Sequence, residues 1–256
     1  MTDLPADPAP PAAGRVAAGR VAAGRVAAGR VAAGRVAHHG SLSSPRGWIE
    51  RFDRTERVAH WVTAVLFIVL MLTAAPLYIG SISALIGRRE LMREIHVYAG
   101  LALPVPILVA VAGRRWGRRI RRDLSRINRW DADDRRWLRS WGRDVSVSSG
   151  KFNAGQKLNT AFVGGVIVVM LATGIIMRWF GPFPLAWRTG ATFVHDWVAT
   201  IFVITFVGHV LYALSDRQAM RAISTGRVGR SWALQHAPKW LAEEQASPDP
   251  APSGQD

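Results

Sequence analysis

Long apolar stretches separated by polar connections dominate the middle of the sequence. Four of these stretches are near twenty residues long, and about 20 apolar residues are needed for a helix to cross the ~30 Å hydrocarbon core of a bilayer. They cover residues 58–80, 92–113, 158–180 and 191–214. Because apolar stretches of this length without internal turn clusters are typical of membrane spans, the pattern predicts an all-α membrane protein, a bundle of four transmembrane helices.

The polar remainder divides into three parts around a membrane domain at 51–214. Residues 1–50 contain the pentamer AAGRV five times, which cannot stack a core and predicts a disordered basic arm; a membrane-surface anchor is the alternative. Residues 114–157 form a loop in which tryptophans alternate with arginines, as in amphipathic segments that lie on a membrane surface. Residues 215–256 are predicted to be a tail, disordered over 247–256.

Basic residues indicate the direction of the spans. The formal net charge is +15, and 28 of the 33 Lys and Arg residues precede the first span, lie in the loop or lie in the tail. Because basic residues are retained on the cytoplasmic side, both termini and the loop are predicted to be cytoplasmic, in a multi-pass protein of a bacterial inner membrane. Topology and anionic lipid headgroups then explain the charge, which argues against a nucleic-acid-binding role.

Four histidines lie within the predicted spans, where ionisable residues are rare and usually functional. The predicted topology places His60 and His209 near the inner face, and His96 and His195 near the outer face. His209 follows His195 by 14 residues, which corresponds to about 21 Å along a helix with both side chains on roughly the same face. The fourth span therefore contributes one histidine to each of two pairs.

Paired histidines on facing helices can ligate a haem iron from both sides. The absence of cysteine excludes disulfides, thiolate-bound iron–sulfur clusters and c-type haem attachment, whereas haem b needs no cysteine. The sequence thus predicts two bis-histidine haem b groups, an outer one between His96 and His195 and an inner one between His60 and His209. Hydrogen bonds between helices are the alternative role for each histidine.

Other span residues are candidates for haem contacts. Asp196 either orients a ligand or neutralises an arginine, or it faces water at the outer surface. Haem propionates need cationic partners, and Arg57 at the inner face and Arg178 or Arg93 at the outer face have a suitable depth. Pro104 and Pro106 predict a kink in the second span. Glycines allow a flat cofactor to approach the backbone, although close helix packing explains them equally well: Gly100, Gly164, Gly165, Gly174 and Gly208.

Short motifs surround the four histidines and precede the third span. They are FDRTERVAHW, MREIHVYAG, GKFNAGQKL, FVH…GHVLYAL and, in the tail, AISTGRVGRSWALQHAPKW. Over about residues 51–244 the chain thereby resembles the gamma subunit of membrane-bound formate dehydrogenase, a cytochrome b with four spans. The resemblance implies two b-type haems with the ligand pairs given above.

The resemblance also implies a quinone site at the inner face, beside the haem of His60 and His209. The segment matching NAGQ contacts the quinone in that family, which transfers to Asn153, Gly155 and Gln156. Amide side chains and backbone N–H groups supply the donors that a quinone carbonyl needs. The same residues suit a helix N-terminus, with Asn as the N-cap, and the two roles are compatible.

The implied function is electron transfer. In the family, a catalytic alpha subunit oxidises formate on the outer side, an iron–sulfur beta subunit passes electrons to the outer haem, and the inner haem reduces menaquinone or ubiquinone. The chain itself then has no formate-oxidising site. The alternatives are the cytochrome b subunit of a hydrogenase or other periplasmic dehydrogenase, a haem-free membrane anchor, and a small proton-coupled transporter using Asp196 and the histidines.

Overall fold

The computed structural model describes residues 47–144 and 146–246. The AAGRV repeats and residues 247–256 lie outside the described residues. Within them, the elements follow in chain order: β1 (Trp48–Glu50), α1 (Arg54–Tyr78), α2 (Gly80–Ile86), α3 (Arg89–Ala102), α4 (Val105–Ala112), α5 (Arg118–Asn128), α6 (Ala132–Ser140), α7 (Ala154–Arg178), α8 (Leu185–Ser215), α9 (Arg217–Thr225), β2 (Arg227–Gly229), α10 (Arg230–His236) and α11 (Pro238–Ala246).

The four predicted spans correspond to α1, to α3 with α4, to α7 and to α8. Each is long and apolar enough to cross a membrane, and the predicted all-α fold of four spans is confirmed. Much of the apolar surface points outward, with Leu72 68%, Val168 67% and Ile204 69% exposed. Exposed apolar surface of this extent is typical of a protein that contacts lipid.

Helices α1 and α7 begin four residues before the apolar stretches that predicted them, because their starts are set by capping boxes. At α1, the Asp53 carboxylate accepts a hydrogen bond from the Glu56 backbone N–H at 2.8 Å, and the Glu56 carboxylate accepts one from the Asp53 N–H at 2.7 Å. Such reciprocal bonds satisfy N–H groups that a helix start leaves without partners. Hydropathy therefore locates the apolar part of each helix, whereas the capping box determines the residue at which the helix begins.

The second span is broken at Leu103 and Pro104, between α3 and α4. Pro104 has no N–H to continue the helical ladder, and the Leu103 N–H bonds the Gly100 carbonyl three residues back at 3.2 Å. Pro106 lies in the first turn of α4, where a missing N–H costs little. The break turns the Leu103 side chain into the bundle, where it is only 4% exposed.

The core of the bundle lies midway between the two histidine levels. It contains one buried residue from each span, namely Phe67, Leu103, Val166 and Phe202. The rings of Phe67 and Phe202 are 4.3 Å apart between centroids at 30°. Phe202 lies seven residues from both histidines of α8. Packed apolar side chains therefore separate the outer level from the inner level.

A second core lies on the side of the bundle predicted to be cytoplasmic and joins the two ends of the described chain. Strand β1 pairs antiparallel with β2, from Trp48 opposite Gly229 to Glu50 opposite Arg227. Beneath the strands, α9, α10 and α11 bury a small apolar cluster around Val228 and Trp240. The prediction that residues 1–50 form a disordered arm is therefore wrong for Trp48–Glu50. The predicted tail, from residue 215, is folded as far as residue 246. These apolar segments are too short to produce a clear periodic pattern.

Buried ion pairs attach the loop between α4 and α7 to the bundle. Lys151 contacts the carboxylates of Asp123 and Glu56, the latter at 3.5 Å. Arg51 donates to the Lys151 carbonyl at 2.7 Å, and burial lowers the pKa of Arg51 to about 10, which leaves it protonated at neutral pH. Further along, Lys157 pairs with Asp134 at 2.7 Å. Helices α5 and α6 are thereby fixed to α1 and α7.

Replacing Gly226 by alanine is expected to destabilise this second core by about 1–3 kcal/mol. Gly226 ends α9 with a φ of +88°, and an added Cβ would lie 2.5 Å from the Phe52 carbonyl oxygen. Gly229→Ala is the matched control, because its nearest atom would be at 3.7 Å. Thermal unfolding of the detergent-purified protein measures the difference, and equal transition temperatures for the two variants would contradict the expectation.

Candidate functional site

The two outer histidines face each other across the bundle. His96 of α3 and His195 of α8 have ring centroids 6.4 Å apart and planes inclined at 60°. A metal bonded to one nitrogen of each ring at about 2.0 Å separates the ring centres by roughly 6 Å, so the spacing fits a shared metal. In the described residues no group of three or more His, Asp or Glu side chains could hold a metal ion. Two imidazoles on opposite sides suit an iron whose remaining positions a porphyrin fills.

A threonine hydroxyl holds each outer histidine. Thr73 of α1 lies 3.0 Å from the His96 Nδ1 atom, and Thr173 of α7 lies 2.8 Å from the His195 Nδ1 atom. Each hydroxyl also contacts the carbonyl oxygen four residues earlier in its own helix, at 2.7 Å and 2.8 Å. Since a carbonyl only accepts, the hydroxyl donates to it and accepts from the imidazole Nδ1–H. Nε2 of each ring then keeps the free lone pair that metal ligation requires.

Sequence reasoning missed both threonines. An isolated threonine in an apolar helix normally bonds its own helix, so Thr73 and Thr173 carried no separate signal. The available signal was a repeated spacing: Thr73 precedes His96 by 23 residues, and Thr173 precedes His195 by 22. Only the packing of α1 against α3 and of α7 against α8 makes that spacing meaningful.

The inner histidines lie at the opposite end of the bundle, on α1 and α8. The His60 and His209 imidazoles are near enough to interact electrostatically, and both residues are exposed in the chain. The His60 ring packs edge-on against Trp61, with centroids 5.6 Å apart, and Trp61 donates to the Ile223 carbonyl at 3.2 Å. Within the described ranges, direct contact between two histidine rings occurs at the outer pair alone.

The segment NAGQ forms the N-terminus of α7. The Asn153 side-chain oxygen accepts from the Gln156 N–H at 2.9 Å, and the Gln156 side-chain oxygen accepts from the Asn153 N–H at 3.1 Å. Both carbonyl oxygens serve the cap, and the two amide NH₂ groups have no protein partner among the described residues. Gly155 packs under Trp137, since an added Cβ would lie 2.6 Å from that ring.

A cavity of about 330 Å³ lies on another side of the α7 start, between α6 and the end of the chain. Its wall includes Trp130, Phe152 and Lys157 but neither Asn153 nor Gln156. The cavity therefore does not bring the cap amides to a ligand, and we assign it no role.

Three of the five glycines predicted to face a cofactor are not required by packing within the chain. A Cβ added at Gly164, Gly165 or Gly208 would meet no atom within 4 Å. At Gly174 the nearest atom would be His195 Cε1 at 3.6 Å, and at Gly100 a Leu70 methyl at 3.8 Å. Of these open positions, Gly208 directly precedes His209 on α8, whereas α7 carries no histidine.

The three arginines predicted to bind haem propionates differ in how many of their donors already contact protein groups. Arg57 donates to the Ser224 carbonyl at 2.7 Å, and Arg93 pairs with Glu90 and, at 3.5 Å, with Glu94. Arg178 lies 3.6 Å from Glu94, and its buried Nε has no hydrogen-bond partner in the part of the chain that the structure describes. Arg178 therefore keeps a donor for a further anion.

Asp196 does not hold the neighbouring imidazole. The carboxylate is near enough to His195 to interact electrostatically, whereas the Nδ1 atom of His195 is bonded by Thr173. The Asp196 carbonyl accepts from the Thr200 hydroxyl at 2.9 Å. Of the roles predicted for Asp196, orientation of the His195 ring by a direct hydrogen bond is performed by Thr173 instead.

Comparisons with known proteins cover the same region. The family model described as prokaryotic cytochrome b561 matches residues 51–226, which include all four intramembrane histidines. The cytochrome b556(fdo) subunit of formate dehydrogenase from Escherichia coli (strain K12) is 27% identical over 211 residues, 77% of this chain and 94% of that relative. The nitrate-inducible cytochrome b556(Fdn) subunit of the same strain is 24% identical, over 76% and 91% of the two chains. The formate dehydrogenase cytochrome b556 subunit of Haemophilus influenzae is 26% identical, over 78% and 84%.

Proposed function

The chain belongs to the prokaryotic cytochrome b561 family, and on this premise we propose that it is the electron-transferring cytochrome b subunit of a formate dehydrogenase. Membership of a cytochrome b family implies haem b, and the four apolar helices make the chain a membrane protein. The relatives named as formate dehydrogenase subunits match along most of both chains, which supports formate as the source of electrons.

The outer histidine pair is the observation that carries the proposal. His96 and His195 have the spacing of two ligands on one metal, and each has its Nδ1 engaged so that Nε2 is free. Both properties are needed for a bis-histidine haem b. Arg178, with its unpaired Nε, supports a propionate contact at this level.

A second haem b is proposed at the inner level, between His60 and His209. Both imidazoles are accessible, and the open face beside Gly208 leaves room for a flat group next to the backbone. The Phe67 and Phe202 rings exclude water from the space between the levels, which suits transfer of electrons without protons.

When bound, haem b supplies one-electron transfer. We propose that electrons enter at the level of His96 and His195 and leave at the level of His60 and His209. Inward movement of an electron against an inside-negative potential costs about 2.3 kcal/mol per 100 mV, so oxidation of the donor must drive it. The predicted topology, with basic residues on the cytoplasmic side of a bacterial inner membrane, supports this direction.

The proposed partners are an iron–sulfur beta subunit and a catalytic alpha subunit on the periplasmic side. The chain contains no cysteine for an iron–sulfur cluster, and the described residues contain no cluster of three metal-ligating side chains. Formate oxidation is therefore assigned to the partner, and the reduction of menaquinone or ubiquinone to this chain.

The choice between formate and a rival donor is tested in membranes that contain the complex. Addition of formate is expected to reduce the b haem, seen as a sharp α-band, and the band is expected to reoxidise on addition of a quinone analogue. Hydrogen gas is the control donor. Reduction by hydrogen without reduction by formate would assign the chain to a hydrogenase instead.

The quinone site is proposed at Asn153, Gly155 and Gln156, and amide donors can be removed there without disturbing the helix start. Asn153→Asp and Gln156→Glu keep the oxygens that form the capping box and lose the NH₂ groups that would bind a quinone carbonyl. We expect about tenfold slower haem reoxidation by quinone, corresponding to about 1.4 kcal/mol, with unchanged thermal stability. Unchanged reoxidation would show that the quinone does not bind at this segment. Asn153→Ala, which loses the cap, shows the effect of disturbing the helix start alone.

A further inference from the structure

The hydroxyls of Thr73 and Thr173 are fixed in direction by their surroundings. The two residues are only 6% and 8% exposed, so water cannot replace their partners. Each oxygen lies within 3.2 Å of two carbonyl oxygens of its own helix as well as of an imidazole nitrogen. The single hydroxyl hydrogen must serve the carbonyls, which leaves an oxygen lone pair for the imidazole N–H.

The arrangement repeats in the two halves of the bundle. Helix α1 supplies Thr73 to His96 of the helix that follows it in the bundle, and α7 supplies Thr173 to His195 of α8. All four spans therefore contribute to the outer level, two with an imidazole and two with a hydroxyl. In the described ranges neither His60 nor His209 has a side-chain or backbone hydrogen-bond partner on its ring, so the inner level lacks this feature.

No charged group takes the place of the threonines. Glu94, the nearest carboxylate on α3, pairs with Arg93 and Arg178, and Asp196 interacts with His195 only through space. Each Nδ1–H thus has a neutral hydroxyl as its side-chain acceptor, and the Leu70 carbonyl is a further neutral acceptor near the His96 ring. A hydroxyl polarises an imidazole less than a carboxylate does, so the ligand keeps its proton and donates moderately to a metal.

We propose that Thr73 and Thr173 are positioning residues for the outer haem: each fixes its histidine in the Nε2-ligating tautomer and sets how strongly that imidazole donates electrons to the iron. The proposal rests on the proposed function, since it needs a haem between His96 and His195. It adds that the potential of the outer haem is tuned separately from that of the inner haem, whose ligands have no hydroxyl partner.

The test uses the haem-containing complex purified from membranes. Thr73→Val and Thr173→Val remove the acceptor at nearly constant volume, whereas Thr73→Ser and Thr173→Ser keep it. Thr200→Val is the matched control, because its hydroxyl bonds only a carbonyl of α8, at 2.9 Å, and contacts no histidine. Redox titration of the α-band and the low-spin ferric EPR signals are recorded for each variant, and the outer haem is identified as the signal absent from His96→Ala.

Loss of the acceptor weakens imidazole donation, which destabilises ferric iron. We therefore expect the valine variants to raise the midpoint potential of the outer haem and to shift its EPR signal. The double variant should show the larger shift, and the serine variants should restore the wild-type values. The inner haem and the Thr200→Val protein should be unchanged.

Unchanged potentials and EPR signals in the valine variants of a haem-containing protein would overturn the positioning role and leave the proposed function standing. Loss of the outer haem from valine and serine variants alike would also overturn it, since packing alone would then explain the residues. A wild-type complex without haem b would refute both the positioning role and the proposed function.

Discussion

Replacing His96 or His195 by alanine is expected to remove the outer haem and to halve the haem b content of the purified chain. One imidazole cannot ligate the iron from both sides, and the remaining ring, 6.4 Å from the removed one between centroids, is already the ligand of the opposite side. The inner level should keep its haem, because the buried Phe67 and Phe202 rings separate it from the mutated site. A pyridine haemochrome titre per mole of chain measures the loss.

Matched histidine variants show whether the loss is specific. His60→Ala and His209→Ala are expected to remove the other half of the pigment and to leave the outer haem signal. His236→Ala is the control, since that exposed side chain lies on α10 and stacks on Trp232, away from the spans. Full pigment content in His96→Ala, or equal losses in every variant including His236→Ala, would show that the pairing is wrong.

Replacing Lys151 by methionine is expected to cost about 3–5 kcal/mol of stability, the usual consequence of leaving a buried ion pair with one partner. The Lys151 ammonium lies between the carboxylates of Asp123 and Glu56, and all three residues are less than 10% exposed. The variant therefore removes the cation that Asp123 and Glu56 share, with Arg126 at 3.1 Å as a remaining cation for Asp123. Thermal unfolding in detergent measures the change.

Lys239→Met provides the comparison for an exposed ion pair. Lys239 contacts Asp131 and Asp133 at 2.7 Å and 2.6 Å, but its side chain is 38% exposed. Such pairs contribute about 1 kcal/mol or less. If Lys151→Met and Lys239→Met lowered the unfolding temperature equally, burial would not be what makes the Lys151 cluster important.

Hydropathy was sufficient to locate the four spans, because a membrane requires a minimum apolar length whatever the tertiary contacts. Helix starts are set by side-chain hydrogen bonds: the N-cap at Asn153 was predicted from the sequence and is confirmed, whereas the N-cap at Asp53 was not predicted. The pairing of Trp48–Glu50 with Arg227–Gly229 was inaccessible, since three-residue strands about 180 positions apart leave no periodic signal.

The candidate site divides in the same way. Depth and helical spacing predicted which histidines share a level, because both follow from topology. The roles of Thr73 and Thr173 depend on the packing of α1 against α3 and of α7 against α8, which could not be inferred from the single sequence. For Asn153 and Gln156, the capping role follows from local geometry, and the proposed quinone contact remains a prediction.

The most direct test of a cytochrome with two histidine pairs is the haem b titre of the purified wild-type chain, combined with its ferric EPR spectrum. We expect two haem b groups per chain, both low-spin with two nitrogen ligands and distinct in potential. A colourless chain, or a single haem that survives replacement of any one of the four histidines, would contradict this expectation.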